Sequence, residues 1–281
     1  MKKIGFIDFY LSEWHANNYP AWIRETCAQM GLEYGLAYAW GEQEISPVDG
    51  KTNAQWCEAN GVVLCPTLEE CCEKSDVLLI LAPSNPEKHL TYAKIALSYK
   101  KPTYIDKTFS PDFAQAQELF SIAAQYGTPI FSTSALRYAD ELTALAGARA
   151  LITTGGGRSA QEYIVHQLEM IVKTMGCDAS SVMATPQGNQ RIYRIVFADG
   201  KEATAIYASD LPFTLAAEME DGTSIYKNVS SDFFRTLIAK ILYFYESREI
   251  DFVADETLAV MKLREALLNA AEAQPGTWIS L

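Results

Sequence analysis

The sequence predicts an α/β chain in two parts, an N-terminal doubly wound parallel sheet over 1–132 and a C-terminal α+β domain with a mostly antiparallel sheet over 133–281. Three observations carry that prediction. Short apolar runs alternate with helix-like segments through the first half, the pattern of βαβ units. One run, Val77-Leu78-Leu79-Ile80-Leu81, has no polar alternation, as a strand covered on both faces requires. From residue 149 the texture changes to period-two runs joined by Asp-Gly turns, which reads as hairpins.

Taken in order, the first half offers strands at 4–9, 34–39, 62–64, 77–81, 103–105 and 129–132. Between them, Thr67-Leu68-Glu69-Glu70 reads as a capping box, and Asn85-Pro86 and Ser110-Pro111 place a capping oxygen before a proline at the first helical position. Gly127 reads as a helix stop. In the second half, 191–197 and 202–208 flank Asp199-Gly200, and 212–220 and 223–229 flank Asp221-Gly222. Two helices close the chain. The first, 232–247, has Phe233, Leu237, Ile241 and Phe244 on one face, and the second, 255–272, follows the acidic start Asp255-Glu256. These helices are free to pack back on the first domain, and a cleft between domains is the expected ligand site.

At 281 residues the chain buries a core without disulfide or metal staples. With 23 Lys+Arg against 35 Asp+Glu its formal net charge is −12, the wrong sign for phosphate backbones or anionic lipid, so no nucleic-acid or membrane partner is expected. Six cysteines form no C-x-x-C pair and three histidines lie far apart, which points to reduced, packed thiols and no metal. Asp8 interrupts the first apolar run before it can act as a signal-peptide core, and no stretch reaches the ~20 apolar residues of a membrane span. A cytoplasmic location follows as the expectation.

In a doubly wound sheet, ligands bind beyond the carboxyl ends of the strands. No glycine occurs between Gly5 and Gly31, so the G-x-G-x-x-G turn that lets backbone approach a diphosphate is absent. Asp8, Tyr10 and Ser12 line the first tip instead; Tyr10 and Glu13 crowd or repel a diphosphate unless Ser12 or the helix N-terminus serves in its own way. Loop 8–20, with Trp14, His15, Asn17, Asn18 and Tyr19, is either a ligand loop for sugars or bases or a surface loop in which Asn18-Tyr19-Pro20 starts a helix. Ala82-Pro83-Ser84-Asn85, His89 and Asp106-Lys107 either line a nucleotide or form ordinary turns and caps. Glu162 and His166 share a helical face with Tyr163 beside them, and His166 reads either as an acid/base group or as a packed core histidine. Gly155-Gly156-Gly157-Arg158 reads as a connector rather than an anion contact, because no helix start follows at once. Arg137 either binds an acidic substrate or pairs with Asp140 or Glu141.

In order along the chain, these pieces resemble the glucose-fructose oxidoreductase and inositol dehydrogenase family, Gfo/Idh/MocA. The resemblance rests on Leu81-Ala82-Pro83-Ser84-Asn85, His89, Lys101-Pro102-Thr103-Tyr104, Asp106-Lys107-Thr108, Ser134-Ala135-Leu136-Arg137-Tyr138, Glu162-x-x-x-His166, Met175-Gly176 and the closing Pro275-Gly276-Thr277-Trp278. Asp106 stands where the family has Glu, Thr108 where it has Pro, and Glu162 where it has Asp. The resemblance implies a Rossmann-type first domain, Lys107 and His166 as the catalytic pair with Glu162 orienting the imidazole or touching substrate, and a homodimer or homotetramer formed through the C-terminal sheet. Trp14, His15, Arg137 and Tyr163 are the substrate-contact candidates. It also implies a nicotinamide cofactor, since no side chain accepts a hydride. Glu42 and Glu44, after the second strand, favour NAD over NADP by accepting from a ribose 2′-OH and repelling a 2′-phosphate. The function implied is hydride transfer between nicotinamide and a sugar, polyol or related hydroxy compound. The alternative is a non-catalytic sugar- or nucleotide-binding or assembly protein that kept the fold and lost the dinucleotide.

Overall fold

The structure is a computed structural model that describes all residues, Met1–Leu281. Two compact units divide the chain: residues 1–133 with 235–251, and residues 134–234 with 252–281.

The first unit runs β1 (Lys2–Asp8), α1 (Trp14–Met30), β2 (Tyr34–Gly41), α2 (Asn53–Asn60), β3 (Val63–Leu64), α3 (Leu68–Lys74), β4 (Val77–Ile80), α4 (His89–Ala96), β5 (Thr103–Ile105), α5 (Phe113–Tyr126) and β6 (Ile130–Phe131). Its six strands are all parallel in the order β3-β2-β1-β4-β5-β6, so the strand order reverses between β1 and β4. All four residues of β4 are buried, as its unbroken apolar run requires. Thr67 caps α3 through Glu70 N–H, and Gly127 closes α5 in the left-handed conformation.

Two helix starts differ from the sequence reading, and a third keeps its position without a side-chain cap. α1 begins at Trp14 behind a Glu13 cap, and Pro20 sits inside it. Asp112, not Ser110, caps α5 by accepting from Gln115 N–H. Asn85 leads a single 3-10 turn, Pro86–Lys88, with no side-chain cap. At α1 and α5 the cap is the residue whose side-chain oxygen reaches an unpaired helical N–H, not the one next to the proline.

The second unit contains β7 (Ala148–Gly155), α6 (Ala160–Met175), β8 (Ala179–Gln187), β9 (Gln190–Phe197), β10 (Glu202–Tyr207), β11 (Thr214–Met219) and β12 (Ser224–Asn228). The chain then passes through α7 (Phe233–Ser247), α8 (Ala254–Ala273) and β13 (Ile279–Ser280). From Arg235 onward α7 belongs to the first unit: Tyr245 donates to the Leu78 carbonyl at 2.7 Å and Phe244 packs edge-on against Phe131. The second sheet has the order β12-β11-β7-β10-β9-β8-β13, antiparallel throughout except for the parallel β7–β10 pair.

The Gly155–Gly157 stretch is not a loose connector. A Cβ at Gly156 would lie 2.0 Å from the Ala208 carbonyl oxygen, and one at Gly157 would lie 2.2 Å from the Tyr163 ring. Only glycine lets the backbone at 156 come this close to that of Ala208. The turn leads directly into α6, whose N-cap Ser159 accepts from Glu162 N–H. No helix is long and apolar enough to cross a membrane.

Candidate functional site

In the first unit the carboxyl ends of β1, β4 and β5 bring together buried ionisable groups. Asp8 ends β1 and is 1% exposed; its Oδ1 accepts from Phe9 N–H at 2.7 Å and Ala82 N–H at 3.0 Å, and its Oδ2 has no partner. Burial, and then the nearby Glu13 carboxylate, push Asp8 well above the usual carboxylate range. Glu13 turns its carboxylate onto the start of α1, accepting from His15 N–H at 2.8 Å and from Ala16 N–H. Burial raises its pKa too, against the pull of His15 and those two amides.

Asp106, at the tip of β5, goes the other way. Burial pushes it up, but the His15 imidazole in contact with Oδ2, followed by Lys107 and His89, holds it below its ordinary value. Tyr104 donates to Oδ1 at 3.2 Å, and Tyr19 stacks on the His15 ring. Next to Asp106, Lys107 is only 8% exposed, and its ammonium has one protein acceptor, the Pro83 carbonyl at 3.2 Å. A buried ammonium with two further N–H donors is poised to bind an acceptor brought by a ligand.

Other expected nucleotide contacts are committed within the protein. His89 is fully buried with Nδ1 3.1 Å from the Phe109 carbonyl and Nε2 2.6 Å from the Leu81 carbonyl, so it ties the loops after β4 and β5 together. Ser12 donates to Asp49 at 2.9 Å, and its carbonyl accepts from Ser46. Burial pulls the Glu42 carboxyl up, but hydrogen bonds from Lys88 and Tyr92 outweigh it and keep Glu42 ionised. Tyr10 is 9% exposed, Pro83 is buried, and Ser84 and Asn85 are half-buried; Ala82 takes a positive φ of 48° so that its N–H reaches Asp8. Trp14, 52% exposed, is an open ring edge-on to His15 and Trp22.

In the second unit, α6 carries His166, whose Nδ1 lies 2.6 Å from Ser134 Oγ. Ser134 Oγ also accepts from Leu136 N–H, while Ser134 N–H donates to Glu169. A ring that donates its Nδ1–H to Ser134 leaves Nε2 with a lone pair, the form a general base needs. Tyr163 and Phe213 flank the ring edge-on at 5.5 and 5.8 Å. Glu162 is ion-paired with Arg158, and Ser134 Oγ is a hydrogen-bond partner of the His166 ring. Sequence reasoning quoted Ser134 only as part of a motif; nothing in its neighbourhood signals that it meets a histidine so far along the chain.

Arg137 pairs with neither Asp140 nor Glu141. It is 4% exposed and paired with Glu169 and Glu256, with its guanidinium 4.0 Å above the Phe252 ring. It is thus a buried structural cation.

A nicotinamide dinucleotide, the group that goes with a doubly wound sheet, fits these residues unevenly. The strand tips suit it: Lys107 offers unused donors, and Asp8, whose pKa burial raises, offers an unpartnered oxygen. The N-terminus of α1, the usual seat of a diphosphate, is filled by the Glu13 carboxylate, so a diphosphate docks there only if Glu13 moves aside.

A six-stranded doubly wound unit accompanied by a mixed-sheet α+β unit is an architecture that the comparisons find in solved dehydrogenases. No protein-family model matches the chain. The uncharacterized oxidoreductase YhhX of Escherichia coli K12 is 36% identical over 63 residues, which are 22% of this chain and 18% of that protein, less than a fifth of the relative's length. A probable dehydrogenase of Thermotoga maritima superposes with a TM-score of 0.80 at 11% identity, covering 99% of this chain and 98% of the other. GenD2 from gentamicin A biosynthesis, in complex with NAD, gives 0.78 at 12% identity over 100% and 97%. The scyllo-inositol dehydrogenase of Lactobacillus casei gives 0.77 at 12% identity over 99% and 98%. The chain has the fold of Gfo/Idh/MocA-type dehydrogenases, and its relative and structural neighbours are named oxidoreductases or dehydrogenases.

Proposed function

We propose that the protein is an NAD-linked oxidoreductase acting on a sugar, polyol or related hydroxy compound, with Lys107 and His166 as its catalytic residues. The observation that carries the reading is the buried Lys107 ammonium with one protein acceptor at the tip of β5. Lys107 donates a hydrogen bond to the substrate oxygen and stabilises it as its proton leaves. His166 Nε2 takes that proton while Nδ1–H stays on Ser134. The nicotinamide, when bound, supplies the acceptor for the hydride that leaves the same carbon. Glu42, held ionised at the end of β2, supports NAD over NADP. Tyr163 and Trp14 are the proposed ring contacts to substrate. Six unpaired thiols support a reducing, cytoplasmic setting.

We also propose that two or four copies associate through the open face of the second sheet. Across the strands, Tyr226, Ala216, Ile152, Thr204, Arg194 and Met183 oppose one another on that face, and Ile152 and Tyr226 are 45% and 62% exposed. Light scattering of Ile152→Glu against the parent chain tests this: loss of a dimer or tetramer supports it, and a monomeric parent removes it.

One observation favours a second reading, a binding protein that has lost the dinucleotide: Glu13 fills the start of α1. Calorimetric titration with NAD(H) and NADP(H) separates the two. Saturable NAD(H) binding that Lys107→Met weakens, with turnover of a sugar or polyol lost in that variant and in His166→Ala, supports the enzyme. Absence of binding to the folded chain overturns it.

A further inference from the structure

Away from His166, the second unit holds a cavity of 310 Å³ between the first turn of α6, the inner side of β9 and β10, and the last turns of α8. Ligand pockets begin at about this size, so it suits a small metabolite. Its free donors converge from two elements, α6 and β9. At the start of α6, Ser159 Oγ takes the amide of Glu162, which leaves the Ala160 and Gln161 amides at the cavity wall without an intrahelical partner. From β9, Arg191 reaches the same wall; it forms no ion pair, and its one hydrogen bond goes to the Gln190 carbonyl.

The second, independent observation is Tyr193. This residue is 1% exposed, lines the cavity, and has no hydrogen-bond partner for its hydroxyl. Burial pushes its pKa up to about 12, so the group remains an O–H donor at neutral pH. A buried tyrosine hydroxyl is ordinarily satisfied, and here the space in front of it is the cavity. Tyr207, beside it, already donates to the Gly157 carbonyl at 2.8 Å. Arg264 of α8 donates to the Gln161 carbonyl at 3.0 and 2.7 Å and brings a second guanidinium against the turn. Leu268 and Ala271 supply an apolar wall, and the exposed Glu272 is the only acid among the lining residues.

Amide N–H groups at the positive end of a 16-residue helix, an unpaired guanidinium and an unpartnered hydroxyl are all donors. We propose that this cavity is a second ligand site, one that binds the oxyanion end of a small metabolite, a phosphate or a carboxylate. The apolar wall holds the body of the same molecule.

The test uses the full chain, titrated at constant ionic strength with inorganic phosphate and, separately, with succinate. Binding is followed by calorimetry and by the backbone amide resonances of Ala160 and Gln161. Saturable binding of at least one anion that shifts both resonances is expected, weakened about tenfold or more by Arg191→Gln and about threefold by Tyr193→Phe. Preference for phosphate or for succinate then identifies the oxyanion. Circular dichroism and the thermal midpoint confirm that each variant is folded. Failure of both anions to saturate, or binding that neither substitution changes, overturns the proposal.

Discussion

The Glu13 carboxylate accepts the backbone N–H of His15 at 2.8 Å and that of Ala16, so α1 is closed at its N-terminus by its own chain. In a glycine-rich turn those amides face a diphosphate. Here an acid already occupies the positive end of the helix dipole, close enough to Asp8 to raise its pKa and to Asp106 for its own to be raised.

Glu13 therefore competes with a diphosphate for the same donors. Glu13→Ala loses a helix cap, at a cost of about 1 kcal/mol of stability. Its affinity for NAD is expected to rise at least tenfold, as is that of Glu13→Gln, which keeps an acceptor oxygen and loses the charge. Calorimetry checks this; a lower affinity in both variants would mean that Glu13 organises the site for the ligand.

Ser134, 2.6 Å from His166 Nδ1, is expected to act by positioning that ring. Ser134→Ala is expected to lower kcat about tenfold, to leave KM within about twofold, and to move the acidic limb of the pH–rate profile, because the ring loses its Nδ1 hydrogen-bond partner. Ser134→Thr keeps the hydroxyl and should restore most of the rate. An unmoved pH profile in Ser134→Ala would remove the positioning role.

Asp8 makes the fold sensitive to pH in a direction that can be worked out. Its pKa is raised in the folded state, so between the ordinary aspartate value and the raised one the folded chain binds more protons than the unfolded chain. Stability falls as pH rises through that window. Asp8→Asn should raise the thermal midpoint at pH 7, by about 2–4 °C for each kcal/mol gained, with the gain vanishing toward pH 4. Asp106 is lowered in the folded state, so its contribution is present above the ordinary value and is lost as pH falls. Asp106→Asn should destabilise at pH 7 and matter less in acid. Melting curves across pH decide both.

Arg137 is buried between two acids, and Glu169 is as buried as Arg137. Arg137→Ala removes a cation from beside that buried carboxylate and is expected to cost about 3–5 kcal/mol in urea unfolding. The variant, where folded, should keep the parent KM. A raised KM with unchanged stability would return Arg137 to the substrate.

Much of the first unit is legible in the sequence. The six strand runs, the Gly127 stop and the Thr67 cap are signals that act over a few residues, and each has its counterpart in the structure. The two hairpins of the second unit are legible through their Asp-Gly turns. β7 was not, because its inward positions include Thr153, which bonds Gln167 in the core, and Gly155, which makes room for Phe213; neither residue looks like core in isolation.

What the sequence by itself determined is therefore local: where strands and turns fall, which segments are apolar on one face, and that a glycine-rich turn is missing after the first strand. The tertiary structure alone decided the partners. It set Asp106 against His15, Ser134 against His166 and Arg137 between Glu169 and Glu256, and it paired β7 in parallel with β10. A propensity or a cap is an energy between neighbours along the chain, whereas a buried charge takes whichever opposite charge the topology delivers, and no spacing in the sequence records that choice.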